Sequence, residues 1–398
     1  MRDQWEKVKL GDIGRLINGR AYKKAELLES GPYPVLRVGN FFTNRGWYYS
    51  DLELAHEKYC DNGDLLYAWS ASFGPRIWNG GKVIYHYHIW KVEFDQSRID
   101  KKFLYYWFDW DKERIKREQG AGTTMIHVTK SSMEKRPLEL PTLPEQEHIV
   151  AILDEAFAGI DAAIANTEKN LANARELFEG YLNSVFSQKG ESWIKRSLGD
   201  VSTIASSLVD PKQLIYQDML HVGAGNIVSV KGELAGLQTA RKEGLKSGKF
   251  VFDETMVLYS KIRPYLMKVV RPSFSGLCSA DIYPLTPKTE FLSRDFLYYL
   301  LLSNHFTDYA IAGSARAGMP KVNREHLFAY TTYLPEVDEQ ERLVEHLDAV
   351  ASEARRLESI YQQKFDALTE LKQSLLAKAF SGELTANAAE KEADEAVA

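Results

Sequence analysis

A few short stretches of this chain gather the side chains that can read a patterned polar surface. "NFFTNRGWYY" (Asn40–Tyr49) sets Asn40, Asn44 and Arg45 among aromatic rings. "GRAYKK" (Gly19–Lys24) offers Arg20, Tyr22 and Lys23, and "WSASFGPRIW" (Trp69–Trp78) offers Ser70 and Arg76 beside a Gly-Pro turn. In the second half, "SKIRPYLMK" (Ser260–Lys268) offers Lys261, Arg263, Tyr265 and Lys268, with Asn226, Gln238, Arg241 and Arg316 nearby in sequence. Arg and Lys pair with guanine edges or phosphate oxygens, Asn and Gln with adenine, and Ser with either. Any one of these groups is as readily a solvated surface residue, and the rings are more often core material.

Catalysis would need other parts. There is no (N/D)-P-P-(Y/F) loop for amino-methylation and no G-x-x-x-x-G-K-(S/T) phosphate loop. "GAGN" at Gly223–Asn226 lacks the full dinucleotide spacing. His86 and His88 are two apart, which predicts one face of a strand, but no Cys or acidic cluster accompanies them to hold a metal. "DPK" at Asp210–Lys212 is too short to count as a nuclease motif. We expect no catalytic residue, no metal ligand and no cofactor site in this chain.

The elements that must position those loops are written twice. "WEKVKLGDI" (Trp5–Ile13) returns as "WIKRSLGDV" (Trp193–Val201), and "KKFLYYWF" (Lys101–Phe108) as "SRDFLYYLLL" (Ser293–Leu302). "GDLLYAWS" (Gly63–Ser70) matches "ETMVLYSK" (Glu254–Lys261) in pattern, and "YLNSVFSQ" (Tyr181–Gln188) matches "SLLAKAFSG" (Ser374–Gly382). "LPEQEHIVAILDE" (Leu143–Glu155) has a rougher copy in "LPEVDEQERLVEHLDAV" (Leu334–Val350). Four or five matches in one order, at nearly constant offset, are not chance likeness of apolar runs. Each half reads as an α+β globular part followed by a long helix. Strands are expected at Lys82–Phe94 and Met256–Ser260, and helices at Lys101–Glu118 and Arg294–Ala310.

The long helices carry heptad seams. The first runs Ile149, Leu153, Ala156, Ile160, Ile164, Thr167, Leu171, Ala174, Phe178, Tyr181, Val185. The second runs Leu343, Leu347, Val350, Ala354, Leu357, Tyr361, Lys364, Leu368, Leu371, Leu375, with Lys364 its one polar member. Thr142 with Glu145, and Asp338 with Glu341, have capping-box spacing, and Pro144 fits a first turn. A helix of this length cannot bury a seam alone. The economical arrangement packs the two seams antiparallel, with the globular parts at opposite ends.

Composition allows all this. The chain has 398 residues, 44% hydrophobic and 26% charged, an ordinary soluble balance. Its N-terminus is polar, which reads as no signal peptide, and the longest apolar run, Phe296–Leu302, is too short to span a bilayer. Two cysteines far apart, Cys60 and Cys278, suggest neither disulfides nor zinc, so the cytoplasm is the expected compartment. The net charge of −5 hides an alternation: +4 for residues 1–140, −5 for 141–190, +4 for 191–333 and −8 for 334–398. Basic globular parts are a weak signal for nucleic acid.

With these parts in order, the chain resembles the specificity subunit of a type I restriction-modification system. "GTTMIHVTKSSMEKRPLELPTLPEQEHIVAIL" (Gly122–Leu153) is very similar to the family's closing pattern for a target-recognition domain. The second copy, "GMPKVNREHLFAYTTYLPEVDEQERLVEHL" (Gly318–Leu347), is looser, with Lys321 where His127 stands and three inserted residues before the Glu-Gln pair. "LYSKIRPYLMKV" (Leu258–Val269) also looks like a recognition-domain strand and loop. The likeness covers about residues 5–384. It implies two tandem β-rich recognition domains, 1–141 and 191–335, two long antiparallel coiled-coil helices, 142–190 and 336–384, and an acidic tail, 385–398, expected to be disordered. It implies a subunit without catalysis of its own, each domain reading half of a split, asymmetric site in double-stranded DNA. Two methyltransferase subunits and the motor-nuclease (restriction) subunits are the implied partners. S-adenosylmethionine and ATP with Mg would belong to those partners, and no membrane is involved. On this reading the sixteen loop residues named at the outset are the candidate DNA contacts. Lys261, Arg263 and Arg76 are favoured because they are expected in corresponding loops of the two halves.

Overall fold

The computed structural model describes residues 5–70, 73–118, 128–187, 190–314 and 320–385. The chain divides into two compact units, residues 1–167 with 364–398, and residues 168–363. Arg316 and nearly all of the acidic tail lie outside the described residues.

In the first unit, strand Glu6–Lys9 pairs antiparallel with Pro137–Leu140, so the start and end of the globular part are stitched together. An antiparallel sheet follows in the order Gly14–Asn18, Ile89–Phe94, Leu65–Ala68, Gly74–Ile77. A second sheet runs Tyr48–Ser50, Tyr33–Leu36, Val83–Tyr85, Tyr59–Cys60, with its middle pair parallel. Helix Lys101–Glu118 buries Phe103, Leu104, Trp107 and Phe108 in the main core. Its boundaries match the pattern of its apolar residues, which recur on one face.

The second unit repeats this plan. Ile194–Ser197 pairs with Thr331–Leu334. Ser202–Thr203, Ile282–Pro287, Val257–Ser260 and Val269–Val270 form the first sheet. Leu208–Val209, Lys249–Phe252, Gly276–Ser279, Leu220–Val222 and Gln238–Thr239 form the second, again with one parallel pair, Leu220–Val222 with Gly276–Ser279.

Three local expectations are corrected. The segment Lys82–Phe94 is two strands, Val83–Tyr85 and Ile89–Phe94, separated by a turn at Tyr87 and His88. The helix expected over Arg294–Ala310 is two, Arg294–Leu302 and Asn304–Ala312, because Ser303 leaves the helix and its hydroxyl caps the next one at the Phe306 N–H. The repeat register is also one residue off. Tyr67 faces Trp90 and Tyr259 faces Tyr283, each on the central strand of its sheet, so Tyr67 corresponds to Tyr259 rather than to Leu258.

The long helices span Leu143–Ser187 and Val337–Ser381, 45 residues each, or about 67 Å at the α-helical rise. All eleven expected seam positions of the first are buried or half-buried. In the second the seam drifts: Lys364 and Leu371 are exposed, while Ala351 is buried and Phe365 and Lys372 are half-buried. A strict 3.5-residue repeat slips against a helix of 3.6 residues per turn. The start signals also differ. Glu145 accepts from the Trp5 indole at 3.2 Å and the Thr385 hydroxyl at 3.3 Å, rather than closing a box with Thr142. Asp338 lies inside the first helical turn, not before it.

Within the first unit the two helical segments run antiparallel. Thr385 meets Glu145, and further back along the second helix Lys372 meets Asp161 at 2.9 Å. Phe380 packs 5.2 Å from Phe103 and 5.3 Å from Trp110. In the second unit, Leu182, Val185 and Phe186 share a core with Val344 and Leu347, and Arg175 lies 3.6 Å from Glu358.

Candidate nucleic-acid interface

In the first unit the turn after Val83–Tyr85 and the short helix Val38–Thr43 enclose a cleft of about 500 Å³. Arg37, Asn40, Thr43, Arg45, His86 and His88 line it, and among the described residues no carboxylate does. A cleft walled by cations, imidazoles and backbone suits phosphate oxygens and base acceptors. The Arg37 guanidinium lies 5.3 Å over the Tyr48 ring. Burial, then the neighbouring His88 and Arg37, pulls the His86 imidazole down to about 4. It is therefore neutral at pH 7, able to donate from one nitrogen and accept at the other. Tyr22 stacks on His86 at 6.3 Å, and Arg20 bridges to the His86 backbone. Arg20, Tyr22, Asn40 and Arg45 are thus brought to one surface.

Their freedom differs. Arg20 is held by Glu26 through two hydrogen bonds of 2.8 and 3.0 Å. Lys23, Asn44 and Arg45 are exposed, with Asn44 in the left-handed region at the helix end and bonded to the Trp47 indole. Asn40 is buried and spends its amide on the Arg37 N–H and the Val35 carbonyl, so it shapes the loop. Ser70 is buried as well. Arg76 is a strand residue, half-buried over the Phe41 and Trp78 rings, and donates to the Phe41 carbonyl.

Arg76 and Lys261, expected in corresponding loops, therefore do not correspond. Leu66 faces Arg76 and Leu258 faces Val270, so Arg76 corresponds to Val270. Lys261 corresponds to Trp69, since each donates its N–H across the sheet, Trp69 to His88 and Lys261 to Asp281. The His86/His88 spacing does not give one strand face, because the turn intervenes. Among the described residues no group of three or more His, Cys, Asp or Glu is placed to hold a metal.

In the second unit, the loop after Val257–Ser260 is sewn to the segment before helix Arg324–Ala329. Arg263 donates its N–H to Pro320, and Val322 donates to Lys261. Arg263 has φ of 50°, and its side chain is exposed beside the exposed Tyr265. Lys261 lies over Tyr283, bonded to the Ala280 carbonyl and 3.7 Å from Asp281. Burial, then Lys321, lowers its pKa. Lys321, not singled out as a contact from sequence, lies 3.5 Å from the same Asp281. Asn226 is spent on Gly223, Ala235 and Gly236, as Asn40 is on its own loop. Lys268 donates to the Ala224 carbonyl. Gln238 is exposed on the edge strand of the five-stranded sheet, and Arg241 is exposed beside Asp218 at 3.2 Å.

Arg37, His86, His88 and Lys321 join these surfaces without having been candidates from residue type. The departure of Lys321 from His127 was the available signal for one of them; the cleft residues come together only through the turn at 86–88.

Comparison with known proteins agrees with this picture. A family described as "Type I restriction modification DNA specificity domain" matches residues 2–172 and 190–363. The chain is 28% identical over 415 residues to the type I restriction enzyme EcoDI specificity subunit of Escherichia coli, covering 96% of this chain and 89% of that one. It is 21% identical to the Escherichia coli EcoBI specificity subunit, covering 97% and 87%. A chain solved in work on complex assembly and conformational transition of the type I R-M system superposes with a TM-score of 0.73 at 16% identity, covering 96% and 98%. At that identity the likeness speaks for the fold.

Proposed function

The chain belongs to the type I restriction-modification specificity family, the non-catalytic DNA sequence-recognition subunits of such complexes, and from that premise we propose how its parts divide the work. Residues 1–141 and 191–335 each read one half of a bipartite, asymmetric site in double-stranded DNA. Residues 142–190 and 336–384 set the distance between the half-sites and dock two methyltransferase subunits, which methylate adenine in each half. Restriction subunits join the same complex for cleavage. S-adenosylmethionine belongs to the methyltransferase partners, and ATP with Mg to the motor-nuclease. The complex works in the cytoplasm. No helix among the described residues is long and apolar enough to cross a membrane.

The observation that carries this reading is a family match made twice along one chain, 2–172 and 190–363, over candidate surfaces that differ in chemistry. Arg37, Arg45, His86 and His88 line the first; Lys261, Arg263, Tyr265 and Lys321 gather at the second. Different readers on the two halves mean different half-sites. Arg45, Arg263 and Gln238 are the exposed groups that reach base edges or phosphates, while Asn40, Asn226 and Arg76 hold loops in shape.

Half-sites on one side of the duplex lie about one turn apart, roughly 10 base pairs between centres. Removing one heptad from both long helices tests the ruler. The methylated site should keep both half-sites and lose part of its spacer. An unchanged spacer would take that role away from the helices.

A further inference from the structure

Leu214 and Ile215 are 80% and 72% exposed. They sit side by side on the four-residue helix Leu214–Gln217, between the Leu208–Val209 and Leu220–Val222 strands. The knob is braced. Tyr216 donates its N–H to the Gln213 carbonyl at 3.0 Å, and the Gln217 amide donates to the Lys212 carbonyl at 2.8 Å. The Gln217 carbonyl accepts the Arg241 N–H at 2.9 Å, which ties the knob to Arg241, whose guanidinium rests on Asp218. Exposed Lys212 precedes it and exposed Lys242 follows Arg241, with the carboxylates of Asp210 and Asp218 at the two ends of the turn. The loop leading into the same strand of the first unit carries Arg20, Tyr22 and Lys23.

Two adjacent branched aliphatic side chains held in water on a braced turn are unfavourable unless something covers them. The pair is too small for a protein interface, which needs about 800 Å² on each partner. It has the dimensions of the apolar wedges, leucine and isoleucine among them, that enter a base step while cations on either side hold the phosphates. We propose that Leu214 and Ile215 form such a wedge, which enters a base step of the second half-site and partly unstacks it. This rests on the reading that residues 191–335 contact DNA.

The test uses the full complex with its methyltransferase subunits, on duplexes carrying its methylated site. 2-Aminopurine is placed in turn at each position of the second half-site except the target adenine. One step should brighten several-fold on binding. The double variant Leu214→Ser/Ile215→Ser should abolish that brightening and bind about tenfold more weakly, with melting temperature and first-half-site signals unchanged. Leu214→Phe should keep the brightening. The wedge is overturned if no step brightens, if the double variant brightens the same step, or if that variant no longer co-purifies with the methyltransferase subunits, which would make the knob a protein contact. Absence of any sequence-selective binding by the wild-type complex would overturn both the wedge and the reading beneath it.

Discussion

The side-chain carbonyl of Gln146 accepts the backbone N–H of Asp100 at 2.8 Å, and its amide nitrogen donates to the carbonyls of Arg98 at 2.9 Å and Pro141 at 2.8 Å. Gln340 makes the same three bonds in the second unit, with Ser293, Phe291 and Pro335. Both glutamines are fully buried. The Glu-Gln pair thus locks the start of each long helix to its own globular part. The glutamate before each accepts from a tryptophan indole, Trp5 to Glu145 and Trp193 to Glu339, both at 3.2 Å. This is why the chain writes that opening twice.

Gln146→Ala and Gln340→Ala should each cost about 1–3 kcal/mol, because a buried N–H and two carbonyls lose their partner. Glutamate should not rescue either position, since a carboxylate cannot donate to the two carbonyls. Urea unfolding measures this. Losses below about 0.5 kcal/mol, the ordinary range for a neutral substitution, would contradict the lock.

The two units also differ inside. Tyr106 packs on Phe157 at 5.3 Å in the first. In the second, Tyr299 donates to Asp348 as Tyr106 does to Asp154, which puts Ala351 where the first has Phe157. A cavity of about 240 Å³ lies there, lined by Phe178, Tyr298, Tyr299, Ala351 and Ala354 and also by the charged Arg175, Lys231, Arg355 and Glu358. Ala351→Phe should stabilise by about 0.5–2 kcal/mol by filling space, whereas Phe157→Ala should cost about 3–5 kcal/mol. Thermal unfolding of both variants decides it, and equal destabilisation would show that the cavity cannot accept a ring.

His86 predicts a pH effect. Its folded pKa, about 4, lies below the ordinary 6.5. As pH falls through 6.5 the unfolded chain takes up the proton first, so stability declines between pH 6.5 and about 4. Phosphates brought into the cleft favour the charged imidazole. Binding to DNA should therefore take up a proton near pH 6 and tighten as pH falls from 7. Calorimetry in two buffers of different ionisation heat reads that uptake, and His86→Asn should abolish it. Equal heats for the wild type would remove His86 from the contact.

Arg263 and Arg76 should separate cleanly. Arg263 is exposed, so Arg263→Ala should leave unfolding unchanged and cost about 1–3 kcal/mol of binding at one position of the second half-site. An even loss across sequences with a shallower salt slope would assign it to phosphate instead. Arg76→Ala should lower stability, because its guanidinium packs on Phe41 and Trp78. Binding to a library randomised in both half-sites, beside melting curves, distinguishes these outcomes.

Much of the fold was legible because periodicity and order carry it. The long helices, expected at 142–190 and 336–384, run Leu143–Ser187 and Val337–Ser381. Register was not legible. "LLY" and "VLY" are apolar on both faces, and only pairing with Trp90 and Tyr283 aligns Tyr67 with Tyr259. The site was half legible for a similar reason. Residue type marks Asn40, Asn226 and Arg45 alike as able to pair with bases or phosphates. Burial and backbone partners, which composition does not encode, make the asparagines loop braces and leave Arg45 exposed.

If two unlike domains read two unlike half-sites, sequencing every methylated adenine left by this chain with its methyltransferase subunits will show it. Two different short specified blocks should appear, separated by a spacer of fixed length and free sequence, with one methylated adenine in each block. A single uninterrupted block, a palindrome, or methylation without sequence preference would contradict it.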